Sequence, residues 1–281
     1  MPLCGRSLTS MAMCGVSYEE LDVRIVILAN MRKDVSVTST VDAYEVLLKE
    51  GQELYGDVPI GRPGRAKTYK WTVRALNALR IRMSIELSGQ GNVAPGPAIL
   101  IGNHTSTFDP IVVVMETGWR VTAFTKAEWF THQIGPFFRF MGQIPLRRGD
   151  EPVTDWAMRM AQSTLNDGNK VGIYPEGTRA PDQGKLYRLH SRILVPLLEA
   201  NPNVPVHAIA TRYEQISLGR TRATVKISPR LAIDAAVMSA DDMVTTVKDA
   251  LIQLGDLVYV NQYAFVAKAR AARQAQSGDT K

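Results

Sequence analysis

Beyond Pro95, short apolar runs alternate with helical patterns, and this alternation constrains the fold more than any other feature of the chain. The runs lie at 98–102, 120–125, 143–147, 171–174, 205–211 and 222–228, and helical patterns at 109–117, 153–168, 188–200 and 240–254. A helix between two strands returns the chain to the same edge of a sheet, so strands connected this way pair in parallel. The expected class is α/β, with a mixed, largely parallel sheet flanked by helices.

Two flanking regions follow another pattern. Residues 1–65 read as an extension and linker: an acidic helix-like stretch at Tyr18–Asp22, a second helical candidate at Val41–Tyr55, then "GDVPIGRPGR" ending at Arg65. Residues 66–281 read as the main domain, with its core at 95–230 and a helical C-terminal region at 239–281. The domain opens with "KTYKWTVRALNALRIRMSIEL", residues 67–87, an amphipathic segment expected to be helical. Trp71, Leu76, Leu79 and Met83 fall near one stripe, and Lys70, Arg74, Arg80 and Arg82 supply charge. Such a helix suits an anionic membrane interface, and it equally suits packing with its basic side in solvent.

The chain contains no run of about 18 apolar residues, the length that spans a bilayer, and its N-terminus lacks the apolar core of a secretory signal. Cys4 and Cys14 have no metal-ligand spacing and make no disulfide framework, which suggests a reducing compartment. The net charge of +6 would serve nucleic acid, anionic lipid, or a phosphorylated or CoA-bearing substrate.

Polar chemistry is concentrated where apolar runs end. Residues 102–110 read "GNHTSTFDP", so His104 and Asp109 sit on the link between a strand and a helix. A neutral imidazole can take a proton from an alcohol near pH 7, and a carboxylate on its other nitrogen fixes the tautomer and stabilises the imidazolium. With no serine or cysteine nucleophile beside the pair, the attacking hydroxyl would be the substrate's own. Taken alone, the spacing also suits a helix N-cap at Thr107 or Asp109. Further along, "YPEGTRA" (174–180) places Glu176, Gly177 and Arg179 at a strand tip, and "MGQIPLRRGD" (141–150) carries Arg147 and Arg148. "VPVHAIA" (204–210) reads by itself as a core strand.

In this order the blocks resemble the glycerolipid acyltransferase family, the glycerol-3-phosphate and 1-acylglycerol-3-phosphate acyltransferases. Asn103, His104 and Asp109 match its first block, Gly142 to Arg148 its second, Tyr174 to Arg179 its third, and Val204-Pro205-Val206 begin its fourth. "FTKAEWF" (124–130) is similar to the family's intervening segment, with Lys126 at the basic position. The resemblance covers about residues 67–230. It departs from the pattern at Val206-His207-Ala208, which lacks the second proline, and no counterpart is seen for the first 65 residues.

The resemblance implies His104 as general base and Asp109 as its orienting partner, with direct attack on a thioester. Lys126, Arg148 and Arg179 would gather the acceptor's phosphate, Glu176 and Gly177 would shape the acceptor site, and Asn103 and Thr178 complete the substrate-binding set. It implies no cofactor and no metal, with acyl-CoA or acyl-carrier protein as donor. The acceptor would be 1-acylglycerol-3-phosphate, giving phosphatidic acid, or else glycerol-3-phosphate or another lipid hydroxyl. An idle lipid-binding protein of the same fold is the alternative from another class. Aromatic residues are too few, at 7%, for the stacking platforms of a single-stranded nucleic-acid site, so no nucleic-acid partner is expected. The expected location is peripheral, on an anionic lipid surface at the cytoplasmic face of the cell membrane.

Overall fold

The computed structural model describes residues 43–61 and 66–278, all within one compact unit. Cys4, Cys14 and the Tyr18–Asp22 stretch lie outside the described residues. Seven strands form the main sheet: β1 (Met83–Ser88), β2 (Ala98–Gly102), β3 (Val121–Lys126), β4 (Ile144–Leu146), β5 (Lys170–Ile173), β7 (Val206–Ser217) and β8 (Arg220–Arg230), in the order β1-β8-β7-β2-β5-β3-β4. Every neighbouring pair is parallel except the β7–β8 hairpin. Two short strands, β6 (Lys185–Tyr187) and β9 (Val258–Val260), pair separately. The α/β reading of the sequence is the observed fold.

Central strand β2 is buried along its whole length, as a parallel strand covered on both faces must be. Helix starts follow local chemistry. Asp150 caps the helix Glu151–Asn166 by accepting from the Val153 amide, and Ser239 caps Ala240–Gly255 by accepting from Asp242 N.

The expected helix over 67–87 is shorter. It runs over Ala66–Leu76, continues as a 3-10 turn to Ile81, and gives way to β1. The register Met83↔Thr221 to Ser88↔Lys226 explains the change: β8 offers a strand edge, and pairing with it outweighs helical periodicity. Nor do the apolar residues share one face. Tyr69, Val73 and Leu76 are buried, as is Met83, whereas Trp71 is 66% exposed and Ile81 82% exposed. Arg80 is drawn into an ion pair with Glu116.

A helix over Ala43–Tyr55 bears out the candidate at 41–55, and it packs into the main core rather than standing apart from it. Trp156, fully buried on Glu151–Asn166, donates its indole N–H to the Leu47 carbonyl at 2.7 Å, and Tyr55 meets the same ring edge-on at 5.5 Å. Gly51 makes this approach possible, since a Cβ there would fall 2.3 Å from the indole.

Candidate active site

Strand register brings distant blocks together. Ile101 pairs with Ile173, so the residues after β2 and β5, beginning at Asn103 and Tyr174, emerge side by side. The chain through β3 and β4 follows the same direction, with Lys126 opposite Leu146, so Lys126 and Arg147-Arg148 emerge at that edge as well. Sites in α/β sheets form beyond the carboxyl ends of parallel strands for this reason.

The link after β2 folds around one carboxylate. Asp109 opens the helix Asp109–Thr117, is fully buried, and takes three contacts on Oδ2: His104 Nδ1 at 2.8 Å, Thr105 N at 2.8 Å and Ser106 N at 2.9 Å. The ring nitrogen facing the carboxylate carries the proton, which leaves the Nε2 lone pair for a substrate. The His104 side chain is 23% exposed, open enough to meet one. Tyr174 backs the ring at 4.8 Å. Burial, then the Asp109 charge, raises the Tyr174 and Tyr213 phenols well above their usual range. The Tyr213 hydroxyl and Asp109 Oδ1 are both buried without a hydrogen bond of good geometry.

The third block clamps the base. Glu176 Oε1 accepts from His104 N at 2.7 Å and Oε2 from Tyr187 N at 3.0 Å, while Ala180 N donates to the His104 carbonyl at 2.6 Å. Glu176 is fully buried with both oxygens engaged, so any shaping of the acceptor site by it runs through the backbone it holds. It holds the His104 backbone. Burial pushes its pKa up to about 7 against the opposing pull of those two amides. Asn103 is likewise a bracket: buried, it donates from Nδ2 to Thr211 O at 2.9 Å and accepts from Thr211 N at 2.7 Å, so its side chain faces β7 rather than a substrate.

Two cations attach to this clamp. Arg179 donates to Thr107 Oγ1 at 2.6 Å, and Arg148 donates to the Gly177 carbonyl. Gly177 has φ +69°, and a Cβ there would stand 3.0 Å from the His190 ring and 3.5 Å from Arg148 Nη2, so glycine suits both the turn and the packing. Thr178 follows on the same turn, partly buried, and Lys126 is exposed at the end of β3. Arg147 points elsewhere, toward Asp57 and Asp150 and over the Tyr55 ring, which separates the adjacent arginines into a structural and a site-facing one.

Sequence reasoning passed over several neighbours of the site. His190, whose N–H donates to Pro175 O at 2.7 Å, stacks on Tyr263 at 4.3 Å. Burial and then Arg148, Arg192 and Arg188 lower its pKa. Neither residue lies in a recognisable motif; the only signal is that His190 is one of just four histidines. His207 is a core histidine, 1% exposed, with Nδ1 3.0 Å from Ser228 O.

A family model described as "Acyltransferase" matches residues 84–211. Curated protein sequences give no match. Among solved structures, the chain is similar to the 1-acyl-sn-glycerophosphate (LPA) acyltransferase PlsC of Thermotoga maritima, with 19% identity, a TM-score of 0.49, and coverage of 83% of this chain and 86% of that one. The matched residues include the His104–Asp109 pair and the whole clamp around it. The stretch of chain that builds the site, within residues 84–211, is thus the part that matches the acyltransferase family model.

Proposed function

We propose that the protein transfers a fatty acyl group from the thioester of acyl-CoA or acyl-carrier protein to the free hydroxyl of 1-acylglycerol-3-phosphate, forming phosphatidic acid. His104 Nε2 takes the hydroxyl proton as the oxygen attacks the thioester carbonyl. Collapse of the tetrahedral intermediate breaks the C–S bond, and the imidazolium returns the proton to the leaving thiolate. Asp109 orients the ring and stabilises its charge, and Glu176 and Ala180 fix the peptide from which the ring projects. Lys126, Arg148 and Arg179 bind the acceptor's phosphate through charge-assisted hydrogen bonds. No cofactor takes part.

One observation carries this reading. His104 meets Asp109 through Nδ1, and among the described residues no serine or cysteine side chain bonds to its ring; Ser106 Oγ accepts from Phe108 N instead. A base held this way acts on a hydroxyl from outside the protein. Attachment to an anionic lipid surface, at the cytoplasmic face of the membrane, would bring the substrate within reach. No helix among the described residues is long and apolar enough to cross a bilayer, and exposed Trp71 and Ile81 with Lys70 and Arg74 suit an interface.

The test is purified protein with labelled palmitoyl-CoA, offered lysophosphatidate and glycerol-3-phosphate in parallel. Labelled phosphatidic acid from the first supports the acceptor assignment. Transfer to glycerol-3-phosphate alone would move the acceptor one step earlier, and transfer to neither would overturn the reading.

A further inference from the structure

The last helix, Ala264–Gly278, lies beyond the residues matched by the family model, yet it packs against the clamp that holds the base. Ala264 is fully buried in a cluster with Ala180 and Tyr187, and Ala267 packs on the same cluster. Ala180 directly follows Arg179, and its amide is the one that holds the His104 carbonyl. Three contacts fix where this helix begins. Tyr263 lies flat on His190 at 4.3 Å, Arg188 N donates to the Gln262 carbonyl at 3.0 Å, and the Arg188 guanidinium caps the Tyr263 ring at 4.9 Å. The short β6–β9 pairing anchors the strand just before it.

One turn beyond Ala264, on the same helical face, stands Lys268. Ala264 and Ala267 set this face of the helix against the segment that follows Arg179, and Lys268 is exposed one turn further along it. The electrostatics agree with this placement. Partial desolvation of this exposed side chain first, then the charges of Arg179 and Lys126, hold the Lys268 pKa below the usual lysine range. Three cations from three remote segments repel one another, and an anion placed among them would turn that repulsion into attraction.

We propose that Lys268 is a further phosphate ligand, through which the C-terminal helix completes the acceptor site together with Lys126 and Arg179. The inference rests on the acyltransferase reading above, and it adds a specificity element from outside the matched domain. Loss of Lys268 should weaken acceptors bearing a phosphate monoester and leave their dephosphorylated counterparts unaffected.

The experiment is calorimetric titration of the full chain with 1-hexanoylglycerol-3-phosphate, short enough to stay in solution, and with 1-hexanoylglycerol. Wild type, Lys268→Met and Lys268→Arg are compared, together with KM values for acceptor and acyl-CoA. The expected result is roughly tenfold weaker binding of the phosphorylated ligand by Lys268→Met, the loss of one charge-assisted contact. Lys268→Arg should recover most of this, and the neutral ligand and the donor KM should not change. Unaltered binding of the phosphorylated ligand overturns the proposal, as does an equal loss for both ligands, which would mark lost packing. A rise confined to the donor KM assigns the charge to the CoA phosphates and also overturns it. Weaker phosphate binding by a protein that shows no acyl transfer would uphold Lys268 and refute only the acyltransfer reading.

Discussion

Asp109→Asn isolates the charge of the dyad from its geometry. Two backbone amides, Thr105 N and Ser106 N, point at the Oδ2 position together with His104 Nδ1. An asparagine must therefore place its amide oxygen there, because the NH2 would set donors against donors. Its NH2 then falls at the Oδ1 position, which is buried without a hydrogen bond of good geometry, close to the buried Tyr213 hydroxyl. The ring keeps its orientation, and what disappears is the negative charge that stabilises the imidazolium. At a Nδ1–Oδ2 contact of 2.8 Å, the charge centres lie about 4 Å apart. With an effective dielectric near 20, the attraction is about 4 kcal/mol. Partial exposure of the His104 side chain screens some of it, leaving about 3 kcal/mol, or on the order of a 100-fold loss in turnover. The assay is kcat for acyl transfer with both substrates saturating, alongside thermal melts to verify the fold. A variant within about fivefold of wild type, melting normally, would refute the electrostatic role of Asp109. Asp109→Ala is the poorer test, since it strands two amides at about 1–3 kcal/mol each and damages the loop itself.

Glu176, with a pKa near 7 in the fold against 4.5 for an unperturbed carboxyl, retains its proton longer in the native than in the unfolded chain. Its contribution to stability therefore declines as pH rises from about 4.5 to about 7 and is constant above that, by about 3 kcal/mol at most. Urea denaturation across this range should show wild type losing stability relative to Glu176→Gln, and parallel curves for the two proteins would contradict the burial argument. Trp156→Ala should lower the unfolding free energy by about 3–5 kcal/mol by emptying the seat of the Ala43–Tyr55 helix. Gly51→Val should also destabilise, and a neutral result for both would mean that this helix is not part of the folded core. Trp71→Ser combined with Arg74→Glu should reduce flotation with anionic vesicles at an unchanged melting temperature. Undiminished flotation would assign membrane attachment to another surface.

Local patterns were legible in the sequence. The apolar runs from 98 to 228 gave the strands of the sheet apart from β1, because buried parallel strands are written as continuous apolar stretches. The convergence of His104 and Asp109 was legible because both residues lie on one short link whose amides fold onto the carboxylate. Residues that act across long sequence distances were not. β1 hides at the end of a basic helical pattern, and its partner on β8 lies more than a hundred residues away. Glu176 stands in a motif that suggests substrate contact, yet its partners are backbone amides, which no side-chain pattern reveals. The bracket that Asn103 makes is hidden for the same reason, since its Thr211 partner comes from β7. The resemblance alone set Arg148 apart from Arg147, and the physical reason lies in Asp57 and Asp150, which take the first.

The central claim is that His104 draws the proton from an acceptor hydroxyl so that acyl transfer is direct. The most direct measurement is the rate of thiol release from palmitoyl-CoA with lysophosphatidate present, for wild type and for His104→Ala, with phosphatidic acid followed in the same samples. Thiol and phosphatidic acid should appear together in wild type, and both rates should fall by at least about 100-fold in the variant while its melting temperature holds. A His104→Ala protein that forms phosphatidic acid at near the wild-type rate would contradict the account.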